Sequence, residues 1–206
     1  MKKVFLLGRP GSGKSTASRY LAEAIKQKKI TVERINDFPL LKEMFLADKE
    51  QKRFVPTDEG GFNAIDHEVL NEVLQAVELK VIERKYAGVH FVTIEFARDN
   101  YQKAFRYFSN FFLLTDSYVL FLDADIETCL YRVKARIANP KTSDDHTSFP
   151  EKKFRKYYGK NNRAYMKYGF KKDFPMIQST FIDTGTISLE NFYKQLDHVV
   201  ANFIVE

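Results

Sequence analysis

The stretch "LLGRPGSGKSTASRYL", residues 6–21, places glycines, a lysine and hydroxyls between an apolar run and a helical pattern. Gly8, Gly13, Lys14 and Ser15 satisfy G-x-x-x-x-G-K-[ST], the spacing of a phosphate-binding loop, or P-loop. Glycines let the backbone turn successive N–H groups towards a triphosphate, and the positive end of the following helix adds to their attraction. The predicted nucleotide-binding residues are Gly8, Arg9, Pro10, Gly11, Ser12, Gly13, Lys14, Ser15 and Thr16.

Two side chains of this motif are expected to carry the phosphate chemistry. Lys14 would place a positive charge on the β- and γ-phosphates, and Ser15 would offer its hydroxyl to Mg²⁺. The expected cofactors are therefore ATP and Mg²⁺, with Lys14 a predicted catalytic residue and Ser15 the predicted metal ligand. A flexible turn that binds nothing is the alternative, but the complete motif between a strand and a helix argues against it.

The length of 206 residues predicts a single domain, residues 1–206, with a sizeable core. No apolar run reaches 18 residues, so the sequence predicts no membrane partner. The lone cysteine, Cys129, fits a reducing compartment, and we expect a cytoplasmic protein that is a monomer or a homodimer. The four histidines are scattered without metal-ligand spacing.

The positive charge is concentrated in one segment. Residues 151–172 contain nine lysines and arginines against one glutamate, a local charge of +8, so the rest of the chain carries −2 of the total of +6. Such a run is consistent with a solvated helix face, a cover for phosphates or a footprint for nucleic acid. The composition leaves all three open.

Short apolar runs alternate with helical patterns along the chain. This alternation predicts βαβ units and an α/β fold, a doubly wound parallel five-stranded sheet with helices on both faces. The predicted strands are residues 2–7, 31–35, 89–95, 118–122 and 180–182.

The loop "GRPGSGKST" resembles the G-x-P-G-x-G-K-[GS]-T loop of adenylate kinases and other small P-loop kinases that phosphorylate nucleosides and nucleotides. The order of elements is also similar, although the tight motif covers only the first twenty residues. The resemblance implies a phosphotransferase of the P-loop kinase type. It also implies an acceptor-binding region at about 36–65 and a basic lid at about 139–172.

A second predicted site lies at "HFVTIEFARDNY", where a strand delivers Glu95 at its carboxyl end and Arg98 follows. Ligands bind at that end of open α/β sheets. The resemblance implies either the acid-arginine pair of nucleoside kinases or the D-G-x-P-R-like segment of adenylate kinases. Glu95 aligns with the acid in both, whereas the spacing of Arg98 matches neither. Both are predicted catalytic and acceptor-binding residues.

Three roles are open for Glu95. A carboxylate there could take a proton from an acceptor hydroxyl or orient it, while an arginine stabilises the moving phosphoryl group. Glu95 could instead hold a Mg²⁺-bound water. An exposed ion pair at the strand end is the alternative without function.

Arg132 and Arg136 are spaced i, i+4 on a predicted helix that begins near Ile126, so they share one face. The resemblance implies that this helix leads into a lid whose arginines close over ATP, which makes both predicted catalytic residues. A solvated helix face is the alternative. Beyond it, "SFPE" predicts a capping box with Ser148 as N-cap, whereas "DDH" at 144–146 is too compact for a metal site.

Asp37 follows the second strand and is predicted to bind the acceptor, together with Glu95 and Arg98. Few arginines occur in residues 31–61, and Arg34 is interpreted as a strand residue, which modestly favours a hydroxyl acceptor over a phosphate. Three nearby phenylalanines could stack on a flat group or pack in the core: Phe38, Phe54 and Phe62.

Three classes of function are consistent with these motifs. The favoured class is a kinase that transfers the γ-phosphate of ATP to a small molecule, a nucleoside or similar alcohol, with nucleoside monophosphate as the runner-up. A polynucleotide kinase is less favoured, because a basic lid over ATP already accounts for the positive segment. A regulatory P-loop ATPase is the third, but no guanine-reading N-K-x-D sequence occurs.

Overall fold

The computed structural model describes residues 1–57, 61–108, 111–140, 150–160 and 162–204. Five parallel strands form a central sheet in the order β2-β5-β1-β6-β7. The prediction of a doubly wound parallel sheet is confirmed. The strands are β1 (Lys2–Leu7), β2 (Val32–Asn36), β5 (Phe91–Phe96), β6 (Ser117–Asp123) and β7 (Gln178–Asp183).

Helices cover both faces of this sheet. Between α2 and α3 a short antiparallel hairpin forms from β3 (Phe54–Pro56) and β4 (Phe62–Ala64). Two π-helical turns, Tyr165–Gly169 and Val200–Ile204, adjoin α8 and α9. The α-helices are α1 (Lys14–Lys26), α2 (Asp37–Ala47), α3 (Val69–Tyr86), α4 (Tyr101–Phe105), α5 (Phe111–Leu114), α6 (Ile126–Ala138), α7 (Glu151–Tyr158), α8 (Phe170–Asp173) and α9 (Leu189–Val199).

The side chains of β1 show why the sheet is buried on both faces. Phe5 and Leu7 pack into a core with α3, α4 and α8, whereas Val4 and Leu6 pack into a second core with α1 and α9. Successive strand residues point to opposite faces, so a continuous apolar run can bury both. The two cores fix the sheet and, with it, the positions of the strand ends.

Polar residues begin the helices at the carboxyl edge of the sheet. The side chain of Asn36, at the end of β2, accepts a hydrogen bond from the N–H of Phe38 and caps α2. Asp125, just after β6, accepts one from the N–H of Thr128 and caps α6. These caps turn the chain at the strand ends and bring the start of each helix to one edge.

Two buried phenylalanines attach the basic segment, residues 151–172, to the rest of the protein. Phe154 of α7 is fully buried against α6, and Phe170 is fully buried in the main core. The lid predicted at 139–172 stays a prediction, and its described part is anchored at these two residues. The predicted Ser148 cap and the "DDH" loop at 144–146 lie outside the described residues.

Two predicted absences can be examined only within the described ranges. None of the helices there is both long and apolar enough to cross a membrane. In the same ranges, no three His, Cys, Asp or Glu side chains are grouped closely enough to hold a metal ion.

Candidate functional site

The P-loop connects β1 to α1 and packs against the β6–α6 turn. Gly8 and Gly11 have φ angles of 138° and 84°, in the left-handed region that favours glycine. A Cβ atom on Gly8 would lie 2.2 Å from the carbonyl oxygen of Leu122, and one on Gly11 would lie 2.5 Å from that of Cys129. Both positions therefore require glycine for conformation and for space.

Lys14 folds back over this loop. Its Nζ donates hydrogen bonds to the carbonyl oxygens of Gly8 and Arg9, each at 2.9 Å. Burial lowers the pKa of Lys14 to about 8, although the nearby carboxylates of Glu95 and Asp37 act in the opposite direction. A lysine ammonium that rests on two loop carbonyls is ready to bind an anion.

A second feature of the loop suggests a polar ligand. Ser12 is fully buried, and its hydroxyl has no hydrogen-bond partner among the residues that the structure describes. Buried polar atoms are usually paired, so an orphaned hydroxyl inside a P-loop is consistent with a ligand or a water that completes it. Its backbone is fixed, because the Thr184 hydroxyl donates to the Ser12 carbonyl oxygen at 2.8 Å.

Tyr101 supports the loop from the core side, a role that the sequence analysis missed. The N–H of Gly8 donates to the Tyr101 hydroxyl oxygen at 2.7 Å, and that hydroxyl is 3.2 Å from the Gly8 carbonyl oxygen. Burial raises the pKa of Tyr101 well above its ordinary value, so the hydroxyl stays neutral. A tyrosine 93 residues away gives no local signal for this contact.

Glu95 lies at the carboxyl end of β5 and is buried. Its two carboxylate oxygens accept hydrogen bonds from Arg34, from Nε at 2.5 Å and from Nη2 at 3.2 Å. The hydroxyl of Ser15 is 3.5 Å from Oε2 of Glu95. The structure therefore brings the predicted metal ligand and the predicted acid together, and adds Arg34, which reaches the site from β2.

Arg98 pairs with Asp37 rather than with Glu95. Its Nη1 lies 2.6 Å from Oδ2 of Asp37, and its Nε donates to the carbonyl oxygen of Leu70 at 2.8 Å. Both members of the pair are buried. Nη2 of Arg98 is also buried and has no hydrogen-bond partner in the part of the chain that the structure describes.

Arg132 and Arg9, two further arginines among the predicted site residues, donate hydrogen bonds to different parts of the structure. Arg132 donates to the carbonyl oxygen of Thr184 at 2.9 Å and approaches that of Gly11 at 3.4 Å, so it braces the P-loop. Arg9 donates to the carbonyl oxygens of Ala124 and Tyr158, each at 2.9 Å, which directs its side chain to α6 and α7.

A cleft of about 830 Å³ opens in front of the P-loop, and we call it the phosphate cleft. This volume lies within the range of small-molecule sites. Its lining includes seven of the predicted site residues with charged or hydroxyl side chains: Lys14, Ser15, Thr16, Asp37, Glu95, Arg98 and Arg136.

The donors in this cleft fit Mg²⁺. This ion prefers oxygen ligands, and it usually binds through one or two protein groups together with phosphates and water. The hydroxyl of Ser15 and the carboxylate of Glu95 are two such groups 3.5 Å apart. A nitrogen- or sulfur-binding metal would find fewer suitable ligands here.

A second cavity, of about 750 Å³, adjoins the phosphate cleft. We call it the aromatic cavity, because four phenylalanines line it. Phe38 and Arg98 line both spaces. The phenylalanines are Phe38, Phe45, Phe54 and Phe62.

Comparison with solved structures agrees with the observed fold. Three similar structures are a shikimate kinase from Acinetobacter baumannii in complex with shikimate, a sugar kinase from a Janibacter species, and a Chloroflexus aurantiacus protein provisionally described as a kinase. The fold is that of the P-loop kinases. No protein-family model matches the chain, and no curated protein matches it in sequence.

The similarity extends over nearly the whole chain. The TM-scores are 0.53, 0.54 and 0.52, in the same order, with 14%, 16% and 13% sequence identity. The matches cover 100%, 99% and 98% of this chain and 96%, 94% and 97% of the other proteins. Identities this low show a common fold, and function has to be argued from the site.

Proposed function

We propose that the protein is a kinase that transfers the γ-phosphate of ATP to a hydroxyl of a small-molecule acceptor. The observation that carries this proposal is the shared cleft: Lys14 and Ser15 of the P-loop face Glu95 across it. A nucleotide-binding site and a candidate base thus meet at the carboxyl edge of a parallel sheet, where such folds bind ligands.

The P-loop would hold the ATP phosphates. Backbone N–H groups from Gly8 to Thr16 cradle them, and Lys14 exchanges its two carbonyl partners for phosphate oxygens. Ser15 would hold Mg²⁺, which when bound neutralises charge on the phosphates. Arg132 and Tyr101 hold the P-loop backbone through hydrogen bonds. The loop therefore needs little rearrangement to bind the phosphates.

Glu95 would act on the acceptor. Its carboxylate is positioned by two hydrogen bonds from Arg34, so it can accept a proton from a hydroxyl or orient one. Arg98 and Arg136 line the same cleft and would stabilise charge on the transferred group. Asp37 positions Arg98 through their buried ion pair.

A second candidate acceptor is a nucleoside monophosphate. The sequence favours a hydroxyl partly because residues 31–61 contain few arginines. In the structure, however, Arg34 and Arg98 both line the cleft, and one nitrogen of Arg98 is unpaired among the described residues. These groups would suit a phosphate dianion, which needs no base near neutral pH.

Incubation with γ-labelled ATP and a panel of nucleosides, nucleoside monophosphates and small alcohols tests the proposal. We expect Glu95→Gln to lower kcat by about 10²-fold, the range for loss of a general base, with ATP affinity changed by no more than a few-fold. Glu33→Gln, which removes a carboxylate paired with Arg84 outside the cleft, should leave both unchanged.

Three results would count against parts of this assignment. Loss of ATP affinity in Glu95→Gln would assign Glu95 to Mg²⁺ rather than to the acceptor. Labelling of monophosphates alone would refute the hydroxyl acceptor. No labelled product from any acceptor, with ATP bound, would contradict the kinase proposal itself.

A further inference from the structure

Three lysines of the basic segment face a different space from the one that a lid over ATP would give them. A lid over ATP would direct its lysines to the phosphate cleft, yet only Tyr158 among residues 150–160 lines that cleft. Lys153, Lys156 and Lys160 instead line the aromatic cavity. ATP in the phosphate cleft therefore does not account for the positions of these three lysines.

We propose that the acceptor is a small planar anion bound in the aromatic cavity, with its flat group on the phenylalanines and its anionic group on α7 and Arg98. This inference rests on the proposed function in one respect: the ligand is called an acceptor because the protein is proposed to be a kinase. The binding site itself is argued from the cavity alone, and its occupant is a molecule with a ring and a phosphate or carboxylate.

The aromatic side of the cavity favours a flat group. The rings of Phe38 and Phe62 are nearly parallel, with centroids 5.8 Å apart and planes inclined by 8°. Phe45 continues the stack on Phe62 at 4.8 Å, and Phe54 meets Phe62 edge-on at 5.5 Å. Phe38, Phe45 and Phe62 are only partly buried, so a planar ligand could extend this arrangement.

The cavity lining also carries positive charge that has no ion-pair partner within the described ranges. Two of its lysines have acidic neighbours, since Lys160 lies 3.3 Å from Asp99 and Lys103 lies 3.8 Å from Glu68. The other three, Lys42, Lys153 and Lys156, have no ion-pair partner within the described ranges. Like charges around one cavity repel each other, and an anion in the cavity relieves that repulsion.

Arg98 places an anion-binding group at the junction of the two spaces. Its guanidinium is buried, held by Asp37 and the Leu70 carbonyl, and its Nη2 is the nitrogen without a partner among the described residues. A buried guanidinium nitrogen without an acceptor is costly, and a ligand carboxylate or phosphate oxygen would satisfy it. The aromatic cavity thus has an anion-binding group where it adjoins the phosphate cleft.

The size of the cavity favours a small molecule over a polymer. About 750 Å³ accommodates a ligand of the size of one nucleotide, within the usual range of ligand sites. A nucleic acid would instead need a groove that follows several phosphates. An oligonucleotide is therefore included in the test as a competing outcome.

The test is calorimetric titration with matched pairs of probes, performed with the P-loop saturated by an unhydrolysable ATP analogue. The pairs are the four nucleoside 5′-monophosphates with their nucleosides, and 4-hydroxybenzoate with 4-hydroxybenzyl alcohol. Ribose 5-phosphate provides an anion without a planar ring. We expect at least one planar anion to bind at least tenfold more tightly than both its neutral partner and ribose 5-phosphate.

Variants locate the binding. Lys153→Gln/Lys156→Gln should weaken the planar anion about tenfold and its neutral partner less than twofold. Lys152→Gln/Lys172→Gln removes two charges that do not line the cavity and is expected to have no effect. If the planar anion still binds to Lys14→Ala, its site lies outside the P-loop. The inference about the aromatic cavity can then fail or hold independently of the assignment of ATP to the P-loop.

Three outcomes would overturn the inference. In the first, neutral members bind as tightly as the anions, or no anion binds at 5 mM. In the second, the Lys153/Lys156 variant binds like wild type. In the third, a single-stranded oligonucleotide binds strongly while every monophosphate fails, which would indicate a nucleic-acid site.

Discussion

Tyr101 and Gly8 form a contact on which the shape of the phosphate loop depends. The Gly8 N–H is buried and donates to the Tyr101 hydroxyl at 2.7 Å. Gly8 is also the residue at which a Cβ would clash with β6. The first glycine of the loop is therefore fixed by the sheet on one side and by a tyrosine on the other.

Tyr101→Phe should lower the free energy of unfolding by about 1–3 kcal/mol, because the variant leaves the Gly8 N–H buried without its acceptor. Denaturant unfolding monitored by circular dichroism measures this change. Tyr86→Phe is the control, since Tyr86 is 84% exposed. Equal stability of Tyr101→Phe and wild type would mean that the contact contributes nothing.

The lowered pKa of Lys14 predicts a pH dependence of ATP binding. The free protein loses the Lys14 proton near pH 8, whereas a bound triphosphate favours the charged form and raises the pKa. Binding is therefore strongest below pH 8, and above it the association constant should fall by up to about tenfold per pH unit. Titrations from pH 7 to 9.5 measure this, and a constant affinity would contradict the proposed contact.

Residues of the site differ in how well the sequence predicts them. The motif residues Lys14 and Ser15 are contiguous, so their spacing alone indicates their chemistry. Arg34 and Tyr101 reach the site through the strand order and the core, which local patterns do not encode. Arg34 is interpreted from the sequence as an ordinary strand residue, yet it holds Glu95.

At the scale of secondary structure, Arg9 joins the phosphate loop to the end of α7. It donates to the carbonyl oxygens of Tyr158 and Lys160, and it lies 3.5 Å from Asp123. Residues after α7 are held as well, because Arg163 donates to Asp123 at 2.6 Å. Because Arg9 belongs to the P-loop, we propose that nucleotide binding alters hydrogen exchange in α7 and in the residues that follow it to Lys160.

Hydrogen exchange with and without an unhydrolysable ATP analogue tests this proposal. The analogue should slow exchange in residues 150–160, whereas residues 165–173, anchored in the core by Phe170, should change little. Arg9→Ala should speed exchange in α7 without nucleotide, and Arg106→Ala, at an exposed position, should not. Equal exchange in all these states would contradict both the lid and the link through Arg9.

The elements themselves were predicted to different degrees. Four runs of five to seven residues and the shorter run 180–182 mark the strands of the central sheet, and their predicted bounds agree with the structure to within two residues. The β3–β4 hairpin was missed, because three-residue strands are too short to show a period. The direction in which α7 presents its lysines depends on packing of Phe154 against α6, which charge counting does not reveal.

For the whole molecule, the strand order explains how distant residues form one site. The crossover order places β5 between β2 and β1, so Arg34 of β2, Glu95 of β5 and the P-loop after β1 meet at one edge. The two adjoining spaces then share Arg98. The fold could be predicted from alternating patterns, whereas the division into a phosphate cleft and an aromatic cavity required the packed structure.

The central claim is that the P-loop binds ATP for phosphoryl transfer, and Lys14→Ala tests it most directly. The variant and wild type would be compared for release or transfer of labelled γ-phosphate and for melting temperature, with Lys26→Ala as the control. We predict that Lys14→Ala loses about 10²-fold or more of the rate, as expected when a charge contact to the transferred group is removed, without a lower melting temperature. A wild-type rate in Lys14→Ala, with melting unchanged, would contradict the account.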